Sequence, residues 1–312
     1  MKITIAIIFV SIIISCEKVV YFDVKTQEGR LVVNSFIQPD SLVDLTVSLS
    51  TDPLAVGFEN VRVNDATIGI FKNDVFLGNF NFSYDGNYSF PANLINATPD
   101  DNFKIEASAP GRATVIAETS IPSAIIIEEA KITDTIFVNI QYSAFDSLGN
   151  YYVIDTVVPH YQVQITFTDP EGDDFYSLKI NYEDFYSSTY TCFTTDDPVF
   201  TAGDYDFGNG TDEEGTVTLC DEVYFTDITF DGKQKTLTVS LLELPTEFIT
   251  DPKFVFRLNH LSEEYYKYIA SSSLQSSTGE NPFGEPVIVF SNIANGFGIF
   301  AGLTSAFAEV EL

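Results

Sequence analysis

The sequence predicts an all-β protein with two domains, an immunoglobulin-like β-sandwich followed by a larger β domain with one inserted helix. Three observations support this fold class. The chain has 312 residues, which exceeds the usual size of a single domain. Apolar and polar residues alternate over strand-length segments that turn-rich pieces separate. Helix signals occur in one segment, near residues 262–274.

Residues 29–122 are predicted to form the immunoglobulin-like sandwich. From Val43 to Leu49 every second residue is apolar, which is the pattern of a strand with one buried face. Turn-rich segments such as 72–74 and 84–87 separate the strands, and Pro122 is the predicted boundary of the domain. Further strands are predicted at residues 31–37, 66–71, 75–80, 103–108 and 113–120.

Residues 123–312 are predicted to form the larger β domain. Val163, Ile165 and Phe167 alternate with polar residues, and the pattern repeats from Tyr176 after a turn at residues 169–172. Other strands are predicted at residues 237–241, 254–258, 287–290, 297–301 and 306–311. Glycines on both sides of Phe297 indicate a bulge or close strand packing.

The predicted helix begins after Ser262, which is a suitable N-cap. Two glutamates follow it and suit the positive end of the helix dipole. The apolar face that is expected to pack on the sheet consists of Tyr265, Tyr266, Ile269 and Leu274.

The first sixteen residues predict export and lipidation. Lys2 precedes an apolar segment, residues 3–14, that is shorter than the roughly 20 residues of a membrane span. Ser15 and Cys16 then complete a bacterial lipobox. Residues 1–15 are therefore predicted to be a signal peptide and residues 16–28 a tether, with acyl chains on Cys16 that hold the protein at a bilayer. An ordinary signal peptide with an incidental cysteine is the alternative.

The other two cysteines, Cys192 and Cys220, are predicted to form a disulfide. An exported protein folds in an oxidising compartment, where an even pair of cysteines favours a bond. Two separate buried thiols are the alternative, because the sequence does not place the two Cβ atoms within bridging reach.

The charge of the chain excludes several classes of partner. Fifteen Lys+Arg against 45 Asp+Glu give a formal net charge of −30, which repels nucleic acid and anionic lipid headgroups.

No nucleophile-elbow, P-loop or zinc-protease motif occurs in the sequence, so an enzymatic function has no support from motifs. His160 and His260 are expected to be structural residues at strand ends or at the helix entry.

The segment between Cys192 and Cys220 contains the metal candidate of the sequence. It is rich in acidic residues and glycine and has no Lys or Arg between residues 196 and 214. Hard cations bind several oxygens that converge on a flexible loop. The calcium candidate consists of Asp204, Asp206, Asn209 and Asp212. The favoured alternative is a solvated loop with no cofactor.

Several segments together resemble one protein family. These are Cys16 and residues 31–34, 225–227, 230–233, 262–266, 281–286 and 291–300. The combination is similar to the Bacteroidetes lipoprotein family known as domain of unknown function 4249, over nearly the whole chain after Cys16.

The resemblance implies a cellular location and a partner for the protein. Members of this family are typically encoded beside TonB-dependent receptors of the outer membrane. The resemblance therefore implies an outer-membrane-anchored lipoprotein, attached to lipid through Cys16, that is a non-enzymatic accessory or ligand-capture partner of a TonB-dependent transporter. It brings no catalytic residues and leaves both the cell surface and the periplasmic face open. The alternatives are a lipid-anchored hydrolase on a β scaffold and an adhesive or structural surface lipoprotein.

Overall fold

The computed structural model describes residues 29–51, 61–145, 149–183, 188–200, 216–242, 253–279 and 287–312. Over these ranges the protein is built mostly of strands, which confirms the predicted all-β class. The strands up to residue 120 are β1 (Leu31–Ile37), β2 (Val43–Leu49), β3 (Thr67–Lys72), β4 (Val75–Asn79), β5 (Asn81–Tyr84), β6 (Asn87–Phe90), β7 (Asn102–Ser108) and β8 (Val115–Ser120).

The remaining strands are longer on average. They are β9 (Ile127–Phe145), β10 (Tyr151–Thr168), β11 (Phe175–Glu183), β12 (Ser188–Tyr190), β13 (Phe193–Thr195), β14 (Val217–Leu219), β15 (Glu222–Thr226), β16 (Gln234–Leu242), β17 (Lys253–Leu261) and β18 (Phe297–Glu311). The helices in the described ranges are the short α1 (Ala92–Ile95) and the longer α2 (Glu263–Gly279), with a 3₁₀ turn at Pro198–Phe200. Neither helix has the length and apolar character that a membrane crossing requires.

A nine-stranded sheet extends through the whole fold in the order β12-β11-β17-β18-β1-β2-β6-β5, with β15 also paired to β11. At its centre β1 pairs with β18, so the first and the last described strands are neighbours. This pair is parallel and places Val33 beside Gly298. The pairs that flank it, β1 with β2 and β18 with β17, are antiparallel.

Two smaller sheets cover this sheet and form two sandwiches with it. The four-stranded sheet β4-β3-β7-β8 shares one apolar core with β1, β2 and β6. The five-stranded sheet β14-β13-β16-β10-β9 shares a second core with β11, β15, β17 and β18. Each fully buried Val, Leu, Ile or Phe in such cores contributes roughly 1.5–3 kcal/mol.

The last strand links the two cores. The first core contains residues before Pro122 together with Ile293 and Phe300, and the second begins at Ile125 and includes Val310. The division into domains 29–122 and 123–312 stays a prediction, while β18 contributes side chains to both sandwiches.

Helix α2 begins after Ser262, as predicted, and ends at Gly279. The Ser262 carbonyl accepts hydrogen bonds from the backbone N–H groups of Tyr265 and Tyr266 at 3.0 and 3.2 Å. The two tyrosine rings anchor the helix on the sheet, Tyr265 against Phe36 at 4.6 Å between ring centroids and Tyr266 against Phe175 at 4.8 Å.

Two predictions near the C-terminus are wrong in detail. Residues 287–290 form no strand, because Phe290 donates its backbone N–H to Ser271 Oγ of α2 at 2.8 Å instead of to a neighbouring strand. Segments 297–301 and 306–311 form the single strand β18. A Cβ on Gly302, which lies within β18, would stand 2.1 Å from the Ser120 carbonyl oxygen. Glycine at this position therefore permits close packing against the end of β8.

Candidate functional site

Three aspartates meet at one edge of the second sandwich, each next to the first or last residue of a strand. Asp169 follows β10, Asp174 precedes β11 and Asp227 follows β15. Pairing of β11 with β15 places Phe175 opposite Thr226, which brings Asp174 and Asp227 together. One carboxylate oxygen from each aspartate lies within 4.8 Å of those from the other two. We call these three residues the carboxylate cluster.

Two turns hold the carboxylate cluster in place, the first from Asp169 to Asp174 and the second beginning at Asp227. The Tyr176 hydroxyl donates to Asp169 Oδ1 at 2.5 Å, and the Gly232 N–H donates to Asp169 Oδ2 at 2.7 Å. The Asp227 N–H donates to the Asp174 carbonyl at 3.2 Å. In the second turn the Asp227 carbonyl accepts the Phe230 N–H at 2.6 Å. Asp169 therefore has partners on both carboxylate oxygens.

His260 joins the cluster from β17. Its Nε2 lies 2.6 Å from Asp174 Oδ1 and its Nδ1 lies 2.9 Å from the Ser123 carbonyl oxygen. A carbonyl has no hydrogen to give, so Nδ1 donates to Ser123, and Nε2 and Asp174 share one hydrogen. The ring stacks on Tyr176 at 5.1 Å between centroids. His260 lies next to the last residue of β17, which agrees with its predicted position at a strand end, whereas His160 lies inside β10.

Burial and mutual repulsion oppose ionisation in the cluster. Asp169 and Asp227 are 2% and 4% exposed, and the Asp174 side chain is 15% exposed. Burial raises the pKa of Asp227 to about 6, and the charges of Asp169 and Asp174 add to this rise. Burial also raises the pKa of Asp169, against the opposing hydrogen bonds from Tyr176 and Gly232. The cluster is a set of oxygen donors, which is the donor chemistry that hard cations accept.

A second feature is the hairpin of β9 and β10. The two strands pair from Phe145 opposite Tyr151 down to Ile127 opposite Phe167. Strand β16 flanks β10 from His160 to Thr168 alone, so in the described part of the chain the outer hairpin has no further sheet neighbour. We call residues 136–145 and 151–159 the ribbon arm.

The ribbon arm exposes apolar side chains to an unusual degree. Phe137 is 71% exposed and Phe145 is 70% exposed. The exposed apolar residues of the arm are Ile136, Phe137, Phe145, Tyr151, Tyr152, Val153 and Val157. Apolar residues gathered on one surface element of a folded protein mark an interaction site more often than an inert surface. No Lys or Arg occurs between residues 132 and 159.

The predicted disulfide is confirmed. Cys192 and Cys220 are bonded and flank the paired strands β13 and β14, in which Phe193 lies opposite Leu219. Cys16, the residue predicted to be lipidated, lies outside the described residues. The calcium candidate of the sequence also lies outside them; its members are Asp204, Asp206, Asn209 and Asp212.

The carboxylate cluster was not predicted from the sequence. Asp169 begins the predicted turn 169–172, Asp174 lies between that turn and the strand pattern from Tyr176, and Asp227 follows a strand, but a chain with 45 acidic residues offers many such positions. The usable signal was three acidic residues at the ends of apolar segments, and the pairing of β11 with β15 selects them.

The chain is similar to one protein family over most of its length. A family model described as domain of unknown function (DUF4249) matches residues 17–307. No curated protein sequence matches the chain. Among solved structures, a mutant of Salmonella alpha-2-macroglobulin is similar at a TM-score of 0.24 and 12% identity, with 79% of this chain and 14% of that chain covered. A DUF4785 family protein from Legionella pneumophila is similar at a TM-score of 0.20 and 8% identity, with 74% and 52% covered. The chain thus spans a small part of the first structure and about half of the second.

Proposed function

The chain belongs to the family described as domain of unknown function DUF4249, and from this premise we propose that it is a lipid-anchored accessory or ligand-capture partner of a TonB-dependent transporter in the outer membrane. The family description names no activity. The proposal joins the lipobox at Cys16, the resemblance to lipoproteins encoded beside such receptors, and the ribbon arm.

The observation that carries the proposal is the ribbon arm. Large apolar side chains that are exposed on one surface element, as Phe137 and Phe145 are, mark an interaction site more often than an inert surface. The outer strand edges of the ribbon, which have no sheet partner among the described residues, also offer backbone donors and acceptors to a partner strand.

The charge of the protein selects the class of partner. The arm lacks Lys and Arg in residues 132–159, and the whole chain carries a formal charge of −30. Anionic lipid headgroups therefore repel this surface. A protein surface with apolar residues is the complementary partner, and a transporter in the same membrane as the lipid anchor fulfils this requirement.

Co-purification tests the proposal. Native membranes are extracted with mild detergent, the protein is captured, and proteins that accompany it are identified by mass spectrometry. We expect a β-barrel receptor with the wild-type protein. Its absence would contradict the proposal.

Paired variants test the role of the arm. Phe137 on the arm and Tyr84 on β5 are both 71% exposed, so Phe137→Ser and Tyr84→Ser remove aromatic rings of equal exposure. We expect Phe137→Ser to lose the receptor and Tyr84→Ser to retain it. Equal recovery with both variants would show that the arm is not the docking surface.

A further inference from the structure

We propose that Asp169, Asp174 and Asp227 form a binding site for a divalent cation of the calcium type. This site is distinct from the calcium candidate of the sequence, which lies between residues 204 and 212. It is also independent of the proposed partner, because the ribbon arm contributes none of the three aspartates.

The spacing of the three carboxylates fits one cation. Calcium binds oxygen at about 2.3–2.6 Å, so two oxygens on the same ion lie at most about 5 Å apart. The three carboxylate oxygens lie within 4.8 Å of one another. The three carboxylates come from two turns of unequal length, and calcium tolerates such irregular coordination better than magnesium does.

Unused oxygens in the cluster point to a missing partner. Asp227 is 4% exposed, and its Oδ2 has no hydrogen-bond partner in the part of the chain that the structure describes. Asp174 Oδ2 is likewise buried without a partner in the described ranges. An unsatisfied buried carboxylate oxygen costs more than an unsatisfied neutral group. A bound cation satisfies both oxygens at once.

The charge around the cluster leads to the same conclusion. Asp169 has two neutral donors, Tyr176 and the Gly232 N–H, and Asp174 has His260, which carries at most one positive charge. Three ionised carboxylates therefore exceed the positive charge that these partners supply. A divalent cation balances this excess negative charge.

The chemical type of the three ligands also indicates which metal binds. All three candidate ligands are carboxylates, and the nearest histidine nitrogen is engaged with Asp174 Oδ1 at 2.6 Å. Zinc prefers nitrogen and sulfur ligands, whereas calcium prefers oxygen. The Asp174 side chain is 15% exposed, so water can reach the cluster and complete the coordination.

A cation at this site would join two turns that are distant in sequence. Asp169 and Asp174 bound one turn, and Asp227 begins the other. A ligand that binds the folded state alone stabilises it in proportion to the logarithm of its concentration above its dissociation constant. Calcium is therefore expected to raise the melting temperature of the protein.

Titration of the full mature chain tests the site. The detergent-extracted protein is stripped with a chelator and titrated with Ca²⁺, with Mg²⁺ as the comparison, by calorimetry and by thermal melting. We expect saturable heat with Ca²⁺ and a rising melting temperature. No heat and no change in melting temperature would overturn the proposal.

Four variants place the binding at the cluster. Asp227→Asn is expected to weaken Ca²⁺ binding by about tenfold or more, because the charge count of the ligands sets the affinity. Asp174→Asn is expected to weaken it as well. Asp134→Asn, at an exposed position of β9, and the double variant Asp204→Asn with Asp206→Asn are expected to bind as the wild type does. Wild-type affinity in Asp227→Asn, or loss of binding in the 204/206 variant, would overturn the assignment.

The stability of the metal-free protein shows whether Asp227 is a metal ligand or a carboxylate that serves only as a structural hydrogen-bond acceptor. In chelator, Asp227→Asn removes a repelling charge and is expected to be at least as stable as the wild type. A purely structural carboxylate would make this variant less stable in chelator and leave its response to Ca²⁺ unchanged, which would contradict the proposal.

Discussion

Gly298 of β18 lies against the backbone of Val33 in β1 so closely that a Cβ on Gly298 would stand 2.1 Å from the Val33 carbonyl oxygen. These residues are opposite each other in the parallel pair of β1 and β18, the first and last strands of the described residues. Gly298 also has a φ of +106°, a backbone conformation that residues other than glycine rarely adopt. The obstructing atom is backbone, so it cannot rotate away.

We therefore expect Gly298→Ala to destabilise the protein by about 2–5 kcal/mol, from overpacking and backbone strain together. Gly111 is the matched control, because its φ is +71° and nothing lies within 4 Å of a Cβ built there. Gly111→Ala carries the strain without the collision and is expected to cost about 1 kcal/mol. Urea denaturation measures both losses. Equal losses would show that crowding at Val33 does not matter.

A second prediction concerns the pH dependence of stability through Asp101. Burial opposes the ionisation of Asp101, but hydrogen bonds from Lys72, Thr98 and Asn73 outweigh it and lower its pKa to about 2. Lys72 Nζ lies 2.7 Å from Asp101 Oδ2. A depressed pKa in the folded state means that ionised Asp101 stabilises the protein above its ordinary pKa, 3.8. This contribution is lost as the pH falls toward 2.

The size of this effect is about 2 kcal/mol, since one pKa unit corresponds to 1.36 kcal/mol. Asp101→Asn lacks the titrating group, so the difference in unfolding free energy between wild type and variant is expected to shrink by this amount between pH 5 and pH 2. Urea denaturation at a series of pH values measures the difference. A difference that stays constant over this range would contradict the prediction.

The strands with one buried face could be predicted from the sequence, because burial imposes a period of two. In β8 buried and exposed residues alternate without exception, and β1 and β2 were predicted with their observed ends. The ribbon arm was not predicted, although Val138, Ile140 and Tyr142 alternate with polar residues. Its side chains are largely exposed where the structure describes them, so no core fixes the register of this pair.

The carboxylate cluster could not be predicted because long-range strand pairing brings Asp227 to Asp169 and Asp174. Asp174 and Asp227 are 227 − 174 = 53 residues apart and become neighbours when Phe175 pairs with Thr226. The parallel pairing of β1 with β18 is of the same kind. Local patterns determine which residues form strands, whereas long-range pairing determines which strand ends meet.

A third prediction concerns the disulfide between Cys192 and Cys220, which are 28 residues apart. Closing a loop of this length stabilises the folded state by about 3–4 kcal/mol on the chain-entropy model. The double variant Cys192→Ser with Cys220→Ser is expected to lose this amount in urea denaturation. Wild-type protein treated with a reductant should unfold at the same lower urea concentration as the variant. An unchanged midpoint in both would contradict the prediction.

The last prediction concerns the anchor. If Cys16 carries acyl chains, Cys16→Ser is expected to move the protein from the membrane fraction to the soluble fraction, because the chain of charge −30 has no electrostatic attraction to lipid. Incorporation of a labelled palmitate analogue should disappear in Cys16→Ser and persist in Cys192→Ser with Cys220→Ser, which removes the other two cysteines. An ordinary signal peptide with an incidental cysteine predicts the opposite: no label in the wild-type protein, and the same fraction for the wild type and Cys16→Ser. The label and the fractionation together therefore decide between the two readings of residues 1–16.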